Sequence, residues 1–317
     1  MANQEFQQTE MPLQQVSGDE RAPLAPFMGA IPPGPAWFDK AMAHTPDEQT
    51  LTVNGGTVET LVWGDKRLPG IMLLHGNAAH ASVWRPVAPF LAGSHRVVAF
   101  SWPGMGGSGW RPKYDLSDYT DDLICVAEQT GLFDQKQKPL IVAHSVAGGP
   151  GVLAAHRHGE RLRGVVIVDS GFRAPENDHR VWSDPRPHHI YPTLQDALAR
   201  FRFAPTQPAA NAFIADMIAR RSLIKVDSGW TWQFDPALWR RLRLSSVWSE
   251  LAEPHCPMAF ISGEHSKVTH GLMDSIMAHV PDESPHIVIP DAHHHLMVDQ
   301  PLAFVAVLRA LLASWAC

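Results

Sequence analysis

One serine of this chain, Ser145, stands between small residues where an apolar run meets a segment of helical character. The stretch reads LIVAHSVAGG over residues 140–149. A strand that turns directly into a helix holds a serine hydroxyl clear of the backbone, with free N–H groups beside it. Glycine is usual two positions either side of such a serine because the turn is crowded there, and Ala143 and Ala147 are the next smallest choice. We predict a nucleophile at Ser145, with an ordinary loop whose serine caps a helix as the alternative.

A tripeptide early in the chain offers hydrogen-bond donors for the same chemistry. His75-Gly76-Asn77 follows an apolar run at residues 71–74, and the loop after that run can place a backbone N–H opposite Ser145. Attack of a serine on a carbonyl creates an oxyanion that two such donors stabilise. We expect the N–H groups of Asn77 and Val146 to form this oxyanion hole.

A base for the serine is available near the C-terminus, where His293, His294 and His295 follow the apolar residues 287–289. A histidine in such a loop can take the proton of the serine and later return it to the leaving group. Histidine tracts are also typical of metal sites. Three adjacent side chains of a loop cannot all converge on one ion, however, and no H-E-x-x-H spacing supplies partners. We therefore expect no metal and no other cofactor.

These residues are far apart in the chain, so a scaffold must bring them together. Short apolar runs predict strands at residues 49–53, 58–63, 71–74, 97–100, 140–143, 165–168, 258–261 and 286–289. Helices are predicted at residues 82–91, 116–130, 146–158, 272–278 and 302–313. This alternation indicates an α/β fold, a mostly parallel sheet of about eight strands with helices on both faces. Ligands of such sheets bind at the carboxyl ends of the strands, and the candidate residues follow those ends.

Two stretches depart from this alternation. Residues 1–45 are rich in Gln, Pro and Gly and predict an extended arm, anchored by Phe27, Trp37 and Phe38. Residues 172–251 contain no clear strand, and two helical segments, 194–201 and 209–224, lie among many aromatic residues. We interpret this stretch as a helical cap inserted after the sixth strand, between core segments 46–171 and 252–317. Most of its tryptophans are expected to form the core of the cap.

Composition excludes several classes of protein. The chain has 317 residues, a formal net charge of −6 and 18% charged residues, so it lacks the basic footprint of a nucleic-acid or anionic-membrane binder. The N-terminus has no apolar core of a signal peptide, and no apolar run reaches membrane-spanning length. The three cysteines are widely spaced and suggest neither a disulfide framework nor a zinc site. We expect a soluble cytoplasmic protein, with the arm and the aromatic cap as surfaces for a possible homodimer.

Taken in order, the HGN loop, the stretch SWPGMGGS at residues 101–108, the serine turn, the cap and the late histidine resemble the α/β-hydrolase superfamily. The resemblance runs from about Thr50 to the C-terminus. It implies that His294 is the base, because the family's late motif is a glycine followed by the catalytic histidine, and His293 takes the glycine position. Two positions depart from the family: Ser101 replaces an aspartate, and Ser266 stands where the acid of the triad commonly lies.

The departure at Ser266 requires another carboxylate, because a triad without an acid leaves the tautomer and orientation of the histidine uncontrolled. Asp169 ends the predicted strand at residues 165–168, and some capped relatives, including the haloalkane dehalogenases, place their acid after this strand. Asp169 is our first choice. Glu264 is the alternative, and either residue has a structural role as its competing explanation.

The nucleophile type then narrows the reaction. Relatives that displace at an sp3 carbon, the dehalogenases and epoxide hydrolases, use aspartate, whereas a serine paired with histidine suits attack at a carbonyl. We expect a carboxylesterase or lactonase for a small, fairly apolar substrate. One alternative is hydrolysis of a C–C bond in an acidic ring-cleavage diketone, for which the cap arginines Arg173, Arg180 or Arg186 would face the pocket. Another is a weakly catalytic ligand-binding protein. The side chains expected to contact the substrate are His144, Trp102, Trp182 and Trp232.

Overall fold

The computed structural model of this chain describes residues 20–172 and 187–315. In chain order its strands are β1 (Asp47–Val53), β2 (Gly56–Trp63), β3 (Gly70–Leu74), β4 (Arg96–Phe100), β5 (Tyr114–Asp115), β6 (Leu140–His144), β7 (Gly164–Val168), β8 (Leu223–Val226), β9 (Gly229–Trp232), β10 (Leu242–Arg243), β11 (Met258–Gly263) and β12 (His286–Ile289). Its α-helices are α1 (Ala36–Ala43), α2 (Leu116–Gln129), α3 (Gly148–His158), α4 (Leu194–Leu198), α5 (Ala212–Arg221), α6 (Leu238–Arg241), α7 (Trp248–Ala252), α8 (Met273–Met277), α9 (Leu296–Asp299) and α10 (Pro301–Ser314).

Eight strands form one sheet in the order β1-β2-β4-β3-β6-β7-β11-β12. The hairpin β1–β2 is antiparallel and β2 pairs antiparallel with β4, whereas the other pairs are parallel. The sheet contains all eight predicted strands, and the α/β-hydrolase fold class is confirmed. No helix within the described ranges is long and apolar enough to cross a membrane.

Each central strand contributes side chains to two hydrophobic cores, one on each face of the sheet. In β3, for example, Ile71 and Leu73 belong to one core and Met72 and Leu74 to the other, because successive strand residues point to opposite faces. Helices α2 and α3 cover the second face, and α10 covers the first. These continuous apolar strands are what made the sheet readable in the sequence.

The predicted helix at residues 82–91 is wrong. This segment forms two short 3-10 turns, Ala81–Trp84 and Ala88–Phe90. Pro86 and Pro89 each lack a backbone N–H, and the residue before a proline avoids the helical region, so a regular α-helix cannot run through the segment.

Residues 187–251, called the insert below, lie between β7 and β11 and contain elements that the sequence did not predict. Its helices α4 and α5 fall within the predicted helical segments, but β8 and β9 form an antiparallel hairpin and β10 pairs with β5. The expectation of no strand here is therefore wrong. The hairpin is short, and its Asp227-Ser228-Gly229 turn carries a glycine at positive φ (145°). Four-residue strands of mixed polarity leave little periodic signal.

Polar contacts fasten the insert to the sheet domain. Asp235 is buried, accepts hydrogen bonds from Tyr114 Oη and Arg241 Nη1 at 2.7 Å each, and donates its own N–H to the Gly104 carbonyl. Burial raises the pKa of Tyr114 to about 12, so the phenol remains a donor at neutral pH.

The described part of the predicted arm is not wholly extended, since α1 occupies residues 36–43. The ring of Phe38 lies 4.8 Å from that of Phe213 in α5, and Trp37 packs against both Phe90 and Phe213. These contacts join the start of the chain to both the sheet domain and the insert. Residues 1–19 lie outside the described residues.

Candidate active site

The turn at Ser145 follows β6 directly and leads through a 3-10 turn, Ser145–Ala147, into α3. Ser145 has φ of 58°, a left-handed conformation that costs a non-glycine residue energy and is concentrated at functional sites. Ala143 fits at this turn because Gly151 of α3, which has no side chain, faces its methyl group. A Cβ at Gly151 would lie 3.0 Å from the Ala143 Cβ, so the glycine carries the close approach of helix and strand.

Ser170 braces the same turn from the end of the neighbouring strand. Its hydroxyl donates to the Ser145 carbonyl at 2.7 Å. Gly148 faces this hydroxyl, and a Cβ added there would come within 2.3 Å of the Ser170 Oγ. Gly148 is therefore required for the brace, which fixes the serine turn against the loop after β7.

Ser145, His294 and Asp169 form one chain of hydrogen bonds. The Ser145 hydroxyl donates to His294 Nε2 at 2.9 Å, and His294 Nδ1–H donates to Asp169 Oδ2 at 2.7 Å. His294 is 2% exposed and Asp169 1% exposed, whereas Ser145 keeps part of its surface open. The register of the sheet brings Ser145 and Asp169 close together, because each directly follows one member of the paired residues His144 and Val168 on adjacent parallel strands.

The Asp169 carboxylate accepts three hydrogen bonds besides that of His294. Ser266 Oγ donates at 2.5 Å, Thr269 Oγ1 at 3.0 Å and the Gly263 N–H at 3.2 Å. All of these partners donate to the carboxylate, and together they fix its orientation. Ser266, which stands at the family's common acid position, thus orients the acid supplied by the neighbouring strand.

Glu264, the alternative acid, does not contact His294. It is exposed, and its Oε2 accepts the Asp291 N–H at 3.0 Å. Together with His265, Glu264 and Asp291 form the one group of residues in the described ranges whose spacing could hold a metal ion. His265 Nε2 lies 3.9 Å from a carboxylate oxygen of each, and all three side chains are exposed. The predicted histidine base is not a member of this group.

A second histidine holds the backbone of the first. His144 Nε2–H donates to the His294 carbonyl at 2.9 Å, and the two ring centroids are 4.7 Å apart. Burial lowers the pKa of His144 to about 3, so the ring is neutral at physiological pH. A neutral neighbour does not oppose formation of an imidazolium on His294.

The HGN loop lies directly beside the serine. A Cβ on Gly76 would be 3.0 Å from the Ser145 Cβ. His75 fixes the loop, because its Nδ1–H donates to the Gly76 carbonyl at 2.7 Å and its Nε2 accepts the Trp102 N–H at 3.1 Å. Burial lowers the pKa of His75 to about 3, which matches this neutral donor-acceptor pattern. Within the described residues, neither the Asn77 N–H nor the Val146 N–H donates a hydrogen bond.

The aspartate missing at Ser101 is replaced by a carboxylate from another strand. Ser101 Oγ donates to Glu59 Oε2 at 2.5 Å and accepts the Ala81 N–H at 2.9 Å. The same carboxylate oxygen accepts the Gly107 N–H at 3.1 Å. Glu59 of β2 therefore anchors both ends of the loop between Ser101 and Gly107.

A pocket of about 500 Å³, including its opening to solvent, reaches Ser145. Its walls come from the serine turn, the loop after β7, the start of α2 and residues 244–248 of the insert. No charged side chain lines it among the described residues: the lining is Leu116, Ser145, Val146, Gly149, Ser170, Gly171, Phe172, Leu244, Ser245, Ser246, Val247 and Trp248.

The predicted substrate contacts lie elsewhere. Trp102 is fully buried, and its indole N–H donates to the His75 carbonyl, while His144 is held behind His294. Trp232 packs near Tyr191 and Phe201. None of these three side chains lines the pocket beside Ser145, so their contact with substrate stays a prediction. Trp182 and the arginines Arg173, Arg180 and Arg186 lie outside the described residues. Sequence reasoning missed residues 244–248, which stand in no recognisable motif.

Comparison with known proteins agrees with this architecture. The model of the alpha/beta hydrolase family matches residues 71–307, and the chain belongs to that family. It is 30% identical over 100 residues to a pimeloyl-[acyl-carrier protein] methyl ester esterase of Edwardsiella ictaluri, covering 32% of this chain and 36% of that protein. It is 32% identical over 120 residues to a 2-hydroxymuconate semialdehyde hydrolase of a Pseudomonas species, covering 35% and 41%.

The chain thus spans less than half the length of these curated relatives. Among solved structures, a thioesterase domain from the curacin biosynthetic pathway superposes with a TM-score of 0.72 at 19% identity. That alignment covers 83% of this chain and 99% of the domain, and it shows the shared fold.

Proposed function

We propose that this chain is a serine hydrolase that cleaves a small, fairly apolar carboxylic ester or lactone. The observation that carries the proposal is the continuous hydrogen-bond chain from Ser145 through His294 to Asp169. In this arrangement a base contacts the nucleophile and an acid fixes the tautomer of the base, which is the requirement for activating a serine. The insert serves as the cap over the site.

The reaction follows from the positions of these atoms. His294 Nε2 takes the Ser145 proton as Oγ bonds to the substrate carbonyl carbon, and the carbonyl oxygen becomes an oxyanion facing the N–H groups of Asn77 and Val146. His294 then gives the proton to the leaving alkoxide as the C–O bond breaks, which leaves an acyl-enzyme. Water then attacks the acyl carbonyl as His294 Nε2 takes its proton, and the return of that proton to Ser145 Oγ releases the acid, while Asp169 Oδ2 accepts the His294 Nδ1–H throughout.

The uncharged pocket supports a neutral substrate. An acidic group placed against the described lining would lose its hydration without gaining a cation, which is costly. The hydroxyls of Ser170, Ser245 and Ser246 suit a carbonyl or ether oxygen instead.

A second candidate, hydrolysis of a C–C bond, is favoured by the similarity to a 2-hydroxymuconate semialdehyde hydrolase. It would use the same three residues, with the acidic substrate paired to an arginine outside the described residues. A third, a weakly catalytic binding protein, requires that Ser145 be unreactive.

A fluorophosphonate probe and two substrates separate these candidates. We expect the probe to label the wild-type protein and not Ser145→Ala, and the wild type to hydrolyse p-nitrophenyl esters of short acids. Turnover of a coloured dienoate without esterase activity would favour the C–C hydrolase instead. Folded protein that resists the probe would overturn both enzymatic proposals.

A further inference from the structure

The loop that carries His294 is held at two points, one on each side of the histidine. The N–H of His293 donates to Asp299 Oδ2 at 2.7 Å, and the N–H of His295 donates to Gln207 Oε1 at 3.0 Å. Gln207 and Asp299 are themselves joined, because Gln207 Nε2 donates to both carboxylate oxygens of Asp299, at 2.9 and 3.0 Å. The Gln207 amide and the Asp299 carboxylate, together called the clamp below, therefore hold the backbone on both sides of His294.

Gln207 is the member of this clamp that comes from the insert. Its side chain is 1% exposed, and both ends of its amide are used. The carboxylate of Asp299 accepts, so the NH2 group must face it and the carbonyl oxygen must face His295. The orientation of the amide also fixes the tautomer of His295. Its Nδ1 lies 2.8 Å from the Gln207 oxygen, which can only accept, so Nδ1 must carry the proton.

The tautomer of His295 matters because its ring stands against that of His294, with centroids 4.8 Å apart. Burial lowers the pKa of His295 well below its usual value, so the ring is neutral while His294 becomes charged. Gln207 thus acts on the base in two ways: it fixes the backbone on one side and holds the adjacent ring in one neutral form.

Resting on the proposed function, we infer that Gln207 is a positioning residue that keeps His294 within hydrogen-bond distance of Ser145. Because Gln207 belongs to the insert, the reaction then depends on how the insert packs against the sheet domain. Gln207 does not line the pocket. Its loss should therefore lower kcat and leave KM nearly unchanged. Displacement of a catalytic group by about 1 Å costs on the order of 100-fold in rate, so we expect a decrease of about 10- to 100-fold in Gln207→Ala.

Asn211→Ala is the matched control. Asn211 also comes from the insert, and its amide donates to the carbonyls of Val298 and Asp299, but it does not touch the histidine loop on either side of His294. The substitution removes a comparable contact between the insert and α9. We expect its rate of fluorophosphonate labelling to stay within about 2-fold of wild type, against a decrease of about 10-fold or more in Gln207→Ala.

Gln207→Glu should introduce a pH dependence of the labelling rate that is not expected if Gln207 has only a structural role. When ionised, the new carboxylate opposes Asp299, but when protonated it again donates to Asp299 and accepts from His295. The labelling rate relative to wild type should therefore rise as the pH is lowered from 8 to 6, whereas the ratio for Gln207→Ala should stay flat. The other titratable or charged groups near position 207 are Asp299, His293, His295 and Lys267, whose Nζ lies 3.3 Å from the Thr206 carbonyl. They are the same in both proteins, so the ratio reports the introduced carboxyl group.

The outcomes are distinguishable. Wild-type protein that is not labelled at Ser145 overturns the proposed function and this inference with it. Labelled wild type with an equal rate in Gln207→Ala, or a pH-independent ratio in Gln207→Glu, overturns the inference alone. Should Gln207→Ala fail to fold, as judged by its thermal melt, the Gln207→Glu series decides.

Discussion

The hydroxyl of Ser266 donates to Asp169 Oδ2 at 2.5 Å, the same oxygen that accepts from His294. Ser266 follows β11 and Asp169 follows β7, and these strands are adjacent and parallel. The position where relatives commonly carry their acid is therefore occupied by a residue that supports an acid from the next strand.

Asp169→Asn should reduce the rate of ester hydrolysis by roughly 10⁴-fold, because the amide cannot hold His294 in the tautomer that leaves Nε2 free to accept. Glu264→Gln should stay within about 2-fold of wild type, since Glu264 contacts Asp291 and not His294. Steady-state kinetics of the two isosteric variants test this assignment. Equal losses in both would contradict it.

The acid should also be movable between the two strand ends. In the background of Asp169→Asn, Ser266→Asp introduces a carboxylate at the end of β11, next to the position of the lost one. We expect at least about 10-fold recovery of the lost rate. Ser266→Ala in the same background is the control and should recover nothing. Kinetics of the two double variants measure the difference, and equal rates would show that the Ser266 position cannot reach His294.

Gly148→Ala should destabilise the protein by about 1–3 kcal/mol, because the new methyl group overlaps the Ser170 hydroxyl. Adding Ser170→Gly should relieve the overlap and give a favourable coupling of at least ~0.5 kcal/mol in a double-mutant cycle. Urea unfolding measures both quantities. Gly93→Ala is the control, since a Cβ at Gly93 meets no atom within 4 Å and should cost nothing. Additive effects at positions 148 and 170 would argue against the brace.

The buried neutral histidines predict a specific loss of stability in acid. The pKa values of His75 and His144 are lowered to about 3 in the folded protein, whereas an unfolded histidine titrates near 6.5. The unfolded chain therefore binds more protons between these values, and the free energy of unfolding falls as the pH drops from about 6.5 toward 3.

Each such histidine contributes a slope of about 1.4 kcal/mol per pH unit within this window. His144→Gln keeps a donor for the His294 carbonyl but removes the titration, so the slope measured by urea unfolding at pH 4 to 6 should decrease by about that amount. An unchanged slope in His144→Gln would mean that this ring is already charged in the folded state.

The sheet and the three hydrogen-bonded residues of the candidate site could be predicted from the sequence for a common physical reason. Buried parallel strands are continuous apolar runs, and Ser145, Asp169 and His294 each follow such a run, so strand ends located them. The prediction of a helix at residues 82–91 is wrong because Pro86 and Pro89 interrupt the segment. The pocket walls at residues 244–248 depend on how the insert folds back over the sheet, which no local pattern encodes.

The contacts of Gln207 could not be predicted from the sequence either, because it is a polar residue in a proline-containing loop with no periodic pattern. Its partners lie 88 and 92 positions further along the chain. Only the packed structure brings a neutral amide between a carboxylate and an imidazole.

The bridge through Gln207 bears on how this chain can be engineered. Replacement of the native insert by another segment would also remove Gln207, and with it one of the contacts that hold the loop carrying His294. A chimera that accepts a foreign cap should therefore retain residues 203–211 together with Asp299, and grafts that discard them should fold yet turn over slowly.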